Sequence, residues 1–241
     1  MRQLDVKQSN SSLAMVHGRR MRILVPWAVA CLFCWVAFGR DAQDAAVAGL
    51  IRGVEQRYNH ARTLSIDFTE SYSIAGHRRR PEQGTVVLRK PGRMRWTYSQ
   101  PAGKLFVSDG KNVFLYTKTD NRVEKSALKA SDDLRAPMAF LLGKLQLTKE
   151  FRNFRTLPDQ NGTWLEGDAA SERVPYSKVS MLVAPDHSIR QLTVTGRDES
   201  VLAFHFQGEV LNPPVNASLF EFNIPAGAEV IDAVSQPVED N

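Results

Sequence analysis

The sequence predicts a mainly β protein with a few helices: an unclosed antiparallel β half-barrel with a lid of short helices over its concave face. Three observations carry this expectation. Apolar residues alternate with polar ones along about ten short segments. The breaks between them hold Gly, Pro or Asp-Gly, as hairpin connections require. Only two stretches, 44–61 and 131–143, switch to helical spacing, and an apolar sheet face needs a cover.

The chain has 241 residues and 43% hydrophobic content, enough to bury a core without staples. Its N-terminus reads differently from the rest. Arg19, Arg20 and Arg22 precede an uncharged apolar run over 23–38, and Ala37 and Gly39 are small residues at the positions a signal peptidase reads. Together these features predict a secretory signal peptide over 1–39. The residues before Arg19 are polar and nearly uncharged, so Met15 or Met21 is the more conventional start. The run falls short of the roughly 20 apolar residues of a membrane span; an uncleaved anchor is the alternative. Residues 40–241 then form a single exported domain.

Loss of 1–39 changes the charge. It removes Arg2, Lys7, Arg19, Arg20, Arg22 and Asp5 from totals of 31 basic and 26 acidic residues, leaving a net charge of +1. A nucleic-acid partner is therefore not expected. Both cysteines, Cys31 and Cys34, lie in the apolar run. The domain then has no disulfide, thiolate nucleophile or cysteine metal ligand. Ala28-Val29-Ala30-Cys31 weakly resembles a lipoprotein processing box, which keeps lipidation at Cys31 as an alternative.

Along the domain, Ala45, Ala48, Leu50, Ile51, Val54 and Tyr58 recur at helical spacing, with Asp44 as a cap. After Leu64 the period becomes two. Ile66, Phe68 and Tyr72 open a series of strands over 85–88, 94–98, 105–107 and 113–116. Asp109-Gly110 is the clearest hairpin turn, because both residues tolerate positive φ. The stretch 131–143 reads as two short helices split at Pro137, and 149–155 is ambiguous. Strands resume over 163–166, 179–183, 189–195, 201–206 and 220–224, with Pro185-Asp186-His187-Ser188 as a turn.

Catalytic and metal motifs are not found. His60, His77, His187 and His205 have no partners at metal-ligand spacing. No serine sits in a nucleophile elbow and no glycine-rich phosphate loop occurs. Asp132-Asp133 and Glu166-Asp168 are carboxylate pairs at a helix start and before a turn. No enzyme activity, cofactor or metal is expected. A hydrolase whose residues meet only in three dimensions stays open.

The segment Val87-Leu88-Arg89-Lys90-Pro91-Gly92-Arg93-Met94-Arg95-Trp96-Thr97-Tyr98 is followed by Gln100-Pro101 and by Val107-Ser108-Asp109-Gly110-Lys111. With Ile66-Asp67-Phe68-Thr69-Glu70, Ala136-Pro137-Met138 and the terminal Phe220-Glu221-Phe222-Asn223-Ile224-Pro225-Ala226-Gly227, these motifs resemble, in order, the LolA family of periplasmic lipoprotein carriers. The resemblance spans 44–231. It implies an unclosed β-barrel under a helical lid. It also implies a monomeric carrier that takes lipoproteins from an inner-membrane ABC exporter, hides their acyl chains and passes them to an outer-membrane receptor. Two residues depart from the family pattern. Lys90 stands where an arginine latches the lid, and it lacks that fork of donors. Met94 stands where the family has an exposed aromatic, and it offers a softer surface to variable guests.

The residues expected to line the cavity are Ile66, Phe68, Val86, Leu88, Met94, Trp96 and Tyr98 on the sheet, with Met138, Leu141 and Leu142 closing it from the lid and Lys90 as latch. Lys90, Met94, Trp96 and Tyr98 are assigned to one face of one strand by period two. The alternatives are ordinary core packing, a periplasmic protein that senses lipids or lipoproteins, and the outer-membrane receptor itself, which requires lipidation at Cys31.

Overall fold

A computed structural model describes residues 30–128 and 145–232, with side chains from residue 43 onward. The chain divides into two compact units, 1–41 and 42–241. The predicted helix over 131–143, with Met138, Leu141 and Leu142, lies outside the described residues.

Helix α1 spans Ala30–His60. Its stretch within the second unit buries Val47, Ile51, Val54 and Tyr58. Their spacing of four, three and four places them on one stripe, while Arg52, Gln56 and His60 on other faces are exposed. Among the described residues no helix is long and apolar enough to cross a membrane.

The strands follow in chain order. They are β1 (Thr63–Ile74), β2 (His77–Arg78), β3 (Glu82–Arg89), β4 (Arg93–Gln100), β5 (Lys104–Asp109), β6 (Asn112–Thr117) and β7 (Arg122–Ala127), then, after a one-turn helix α2 (Leu147–Glu150), β8 (Phe151–Asp159), β9 (Gly162–Ala169), β10 (Tyr176–Val183), β11 (Ile189–Gly196), β12 (Val201–Leu211) and β13 (Glu229–Asp232). They form one thirteen-stranded sheet in the order β13-β7-β6-β5-β4-β3-β1-β12-β11-β10-β9-β8, with β2 added to β1. The two ends, β13 and β8, do not pair with each other, so the half-barrel is unclosed, as the alternation and the helical covers predict. The long-range step is β1 to β12, which joins the two ends of the domain in antiparallel register from Leu64↔Leu211 to Ser73↔Val201.

Several expectations need correction. The sheet is not wholly antiparallel, because β13 pairs with β7 in parallel. The strand expected over 220–224 is absent. Ala217–Phe220 forms a 3-10 turn instead, with the Asn216 side chain accepting from the Ser218 N–H. Phe220 is buried there, and Phe222 packs on Phe114 at 5.3 Å between ring centroids. Period two in this stretch reflects one buried ring and one packed ring, not a ladder. The ambiguous stretch 149–155 splits between α2 and β8. Lys90 is not on the strand of Met94. It follows β3, and Lys90-Pro91-Gly92 forms the turn into β4. Val86 and Leu88 share parity with Lys90, and Leu88 pairs with Met94, so Lys90 lies in the turn just beyond the neighbouring strand and not on β4.

The open edges are protected. β13 has four residues, and β8 carries Arg152, Arg155 and Pro158. Short, charged or proline-bearing edges resist pairing with other chains.

Candidate functional site

The sheet face under α1 is built row by row. Leu64, Leu88 and Met94 lie side by side on β1, β3 and β4, and Ile66, Val86, Trp96 and Phe106 form the next row. Phe68 and Tyr98 flank Gly84 in the third row. A Cβ on Gly84 would stand 2.1 Å from the Thr97 carbonyl oxygen, so only glycine fits this bulged pairing. The rings on either side are in contact: Phe68 meets Tyr98 edge-on at 5.2 Å and Trp96 at 4.8 Å.

All seven sheet residues expected from sequence are brought together here, each at most 4% exposed. They belong to one apolar cluster with Val47, Ile51, Val54 and Tyr58 of α1. The cluster extends further than the sequence reading. Phe204 and Phe206 of β12 continue the aromatic row, with Phe204 5.4 Å from Trp96 and stacked on Phe206 at 5.8 Å. Leu192, Met181 and Leu165 carry it across β11, β10 and β9. The same alternation marks these residues, with His205 exposed between Phe204 and Phe206. What the sequence hides is that β12 lies beside β1.

Within this face the polar atoms are partnered. The Trp96 indole N–H points at the Met94 sulfur at 3.4 Å. The Tyr98 hydroxyl donates to Glu70 at 3.1 Å, and Glu70 is itself buried at the end of the β1 apolar column.

The end of α1 is fastened to the rim of the face. Lys90 Nζ donates to the Tyr58 carbonyl oxygen at 2.6 Å. Burial pushes the Lys90 ammonium below its ordinary value. The Tyr58 hydroxyl donates to Glu209 Oε2 at 2.7 Å and accepts from the Ile189 N–H at 2.9 Å. Arg57 places Nε and Nη2 on the other oxygen of Glu209, at 3.0 and 2.5 Å, and donates from Nη1 to the Asp186 carbonyl. Burial, and next the negative charge of Glu209, drive the Tyr58 hydroxyl far above the ordinary phenol range. Further along, Asn59 exchanges two hydrogen bonds with the Leu145 backbone, and Glu55 accepts from the Leu147 N–H at 2.7 Å. The lysine predicted to latch a lid thus bonds the C-terminal turn of α1. The Tyr58–Glu209–Arg57 network has no sequence signal, because its members are about 150 residues apart.

No group of three or more His, Cys, Asp or Glu side chains is placed to hold a metal among the described residues. The site offers a long aromatic and aliphatic face under a helix, with polar fastening at the rim. Its chemistry suits shelter of an apolar group.

The family model for Outer membrane lipoprotein carrier protein LolA matches residues 59–223. An outer-membrane lipoprotein carrier protein of Nitrosospira multiformis is 24% identical over 202 residues, covering 83% of this chain and 96% of that one. Its counterpart in Bordetella avium is 30% identical over 174 residues, covering 68% and 78%. The crystal structure of a LolA superfamily protein from Nitrosomonas europaea overlays with a TM-score of 0.42 at 8% identity, over 73% of this chain and 97% of that one. The chain belongs to the LolA family of outer-membrane lipoprotein carrier proteins.

Proposed function

We propose that this protein is a periplasmic carrier that shelters the acyl chains of lipoproteins against the inner face of its half-barrel. It receives them at an inner-membrane ABC exporter and delivers them to the outer membrane. The observation that carries the reading is the continuous apolar face from Phe106 to Leu165, held under the stripe of α1. Family membership points the same way.

Magnitudes support a covered trough. Burial of one CH₂ contributes about 0.8 kcal/mol, so a sixteen-carbon chain gains about 12 kcal/mol on leaving water. The stripe Val47, Ile51, Val54 and Tyr58 contributes roughly 6–12 kcal/mol when it covers the same face. One acyl chain therefore competes with the cover on near-equal terms, and two or three outweigh it. The cover keeps the empty face dry and lowers net affinity for the guest, so the guest can pass to an acceptor without nucleotide hydrolysis. Met94 and Met181 add adaptable surface for chains of differing shape.

The test is co-purification from the periplasm with a co-expressed lipoprotein, in parallel with the same protein after its lipidated cysteine is changed to serine. A one-to-one soluble complex with the acylated form alone is expected. Equal capture of both forms, or of neither, refutes the proposal.

A further inference from the structure

We propose that one end of the half-barrel is a phosphate-recognising rim, formed by Arg62, Arg89, Lys90, Arg93 and Lys111, that docks the protein on the surface of an anionic phospholipid bilayer. Two adjoining grooves mark it, of about 370 and 540 Å³. Arg89 and Lys90 line both; Arg93, Asp109 and Lys111 complete one, and His60, Arg62 and Asn212 stand in the other.

Five basic residues from three separate segments converge here because the backbone is braced. The Lys90 N–H donates to the Arg62 carbonyl at 2.9 Å, which ties the β3–β4 turn to the start of β1. The β5–β6 turn is fixed against the same turn. Ser108 Oγ donates to the Gly92 carbonyl at 2.8 Å, and a Cβ on Gly92 would stand 3.1 Å from Gly110 Cα. Side chains at both positions would hold the two basic turns apart.

The charge arrangement is unfavourable for folding alone. Arg89 and Arg93 are direct cross-strand partners, so two like charges face each other, and Asp109, the partner of Arg93 on β5, offsets only one of them. Such pairs destabilise a sheet. Among the described residues none of the five basic side chains forms an ion pair. The one acid in the grooves, Asp109, stands opposite Arg93 and interacts with Lys111, so it offsets one of the five charges, while its Oδ1 also accepts from the Lys111 and Asn112 N–H groups, each at 2.7 Å. A row of phosphates relieves the repulsion, and planar guanidinium groups match phosphate oxygens. The domain from residue 40 carries a net charge of only +1, so the attraction is local to this rim. The geometry also suits delivery, since Lys90 lies in the rim and bonds the end of α1. Docking there brings the fastening of the cover to the membrane surface.

The test is flotation of protein purified from the periplasm with vesicles of phosphatidylcholine alone and with 30% phosphatidylglycerol. These vesicles hold no lipoprotein, so the outcome is separate from that of the carrier proposal. Binding to the anionic vesicles only, weakened by salt, is expected. Each basic residue near such a surface contributes about 1 kcal/mol, or about fivefold in affinity. The double variant Arg89→Gln/Arg93→Gln should bind about 30-fold more weakly while its melting temperature stays level or rises. The double variant Arg78→Gln/Arg80→Gln removes equal charge at the opposite end of β1 and should bind as the parent does. Equal binding to neutral vesicles, no vesicle binding at all, or equal loss in both double variants overturns the proposal.

Discussion

Tyr58→Phe removes one oxygen from a buried network and leaves the ring in place. Tyr58 is 3% exposed, and Ile189, whose N–H it receives, is 4% exposed. Water has little access to satisfy the groups left behind. The stranded Ile189 N–H costs about 1–3 kcal/mol, and loss of the hydrogen bond to the Glu209 carboxylate costs about 1.5–3. Arg57 still holds the other oxygen of Glu209, which moderates the second figure. A total near 3 kcal/mol corresponds to a fall of about 6–12 °C in melting temperature for a domain of this size. The pH dependence gives an independent check. The folded Tyr58 hydroxyl titrates far above its ordinary value of 10.0, chiefly because burial disfavours the phenolate. Its stabilisation is therefore fully present below about pH 10. Above that pH the unfolded chain ionises and the folded one does not, so it is lost as pH rises, at about 1.4 kcal/mol per unit. Urea unfolding of parent and variant at pH 8 and pH 11 measures both effects: a gap near 3 kcal/mol at pH 8 that narrows by about 1.4 kcal/mol at pH 11. A melting temperature within 1 °C of the parent, or a gap that is the same at both pH values, refutes this reasoning.

Other perturbations have equally definite outcomes. Gly84→Ala forces a methyl into the Thr97 backbone and should cost about 3 kcal/mol in urea unfolding; a cost under 1 contradicts the bulged pairing. Trp96→Ala should cost about 3–5 kcal/mol, since Trp96 is fully buried among Phe68, Met94 and Phe204. Lys90→Met removes the only side-chain donor on the Tyr58 carbonyl among the described residues. Hydrogen exchange should quicken in the last turn of α1 with little change in the sheet, and unchanged exchange there denies the latch. Asp109→Ala removes the acceptor of two turn N–H groups and should cost about 1–2 kcal/mol at pH 7. Those turn hydrogen bonds outweigh burial and hold the Asp109 carboxyl below its ordinary 3.8, so its stabilisation is present above that value and is lost as pH falls through the lower folded one. Equal stability of parent and variant at pH 7 counts against this.

Much of the fold was legible because one physical signal dominates it. Strands β1, β3, β4 and β9 to β12 bury alternate residues on the α1 side, and period two reports that directly, while β5 and β6 bury neighbours on both faces, Phe106 with Val107 and Val113 with Phe114, and read as short apolar runs. The strands that escaped have little to report. β7 buries only Val123, β8 only Phe151, and β13 is a four-residue edge with Val230 exposed. The Phe220–Ile224 stretch misled in the opposite sense, since its alternation comes from Phe220, buried in a 3-10 turn that contacts β4 and β5, and from Phe222, packed on Phe114 and Tyr116 of β6. The seven sheet residues of the candidate site were legible for the same reason as the strands. Their aromatic neighbours Phe204 and Phe206 needed the β1–β12 pairing, a contact across more than 130 residues. The contact of Lys90 with α1 was half legible. The family resemblance pointed to Lys90, while its acceptor, a main-chain carbonyl at Tyr58, carries no side-chain signature.

Fluorescence of Trp96 measures the central claim most directly. Trp164 sits outside the apolar cluster with its indole N–H toward Asp159, so Trp164→Phe leaves Trp96 as the sole reporter in residues 40–241. A lipopeptide brominated near the ends of its acyl chains should bind and quench that fluorescence, whereas the same lipopeptide without bromine should bind without quenching. Tight binding of the brominated lipopeptide with Trp96 emission unchanged would place the chains elsewhere and contradict the account.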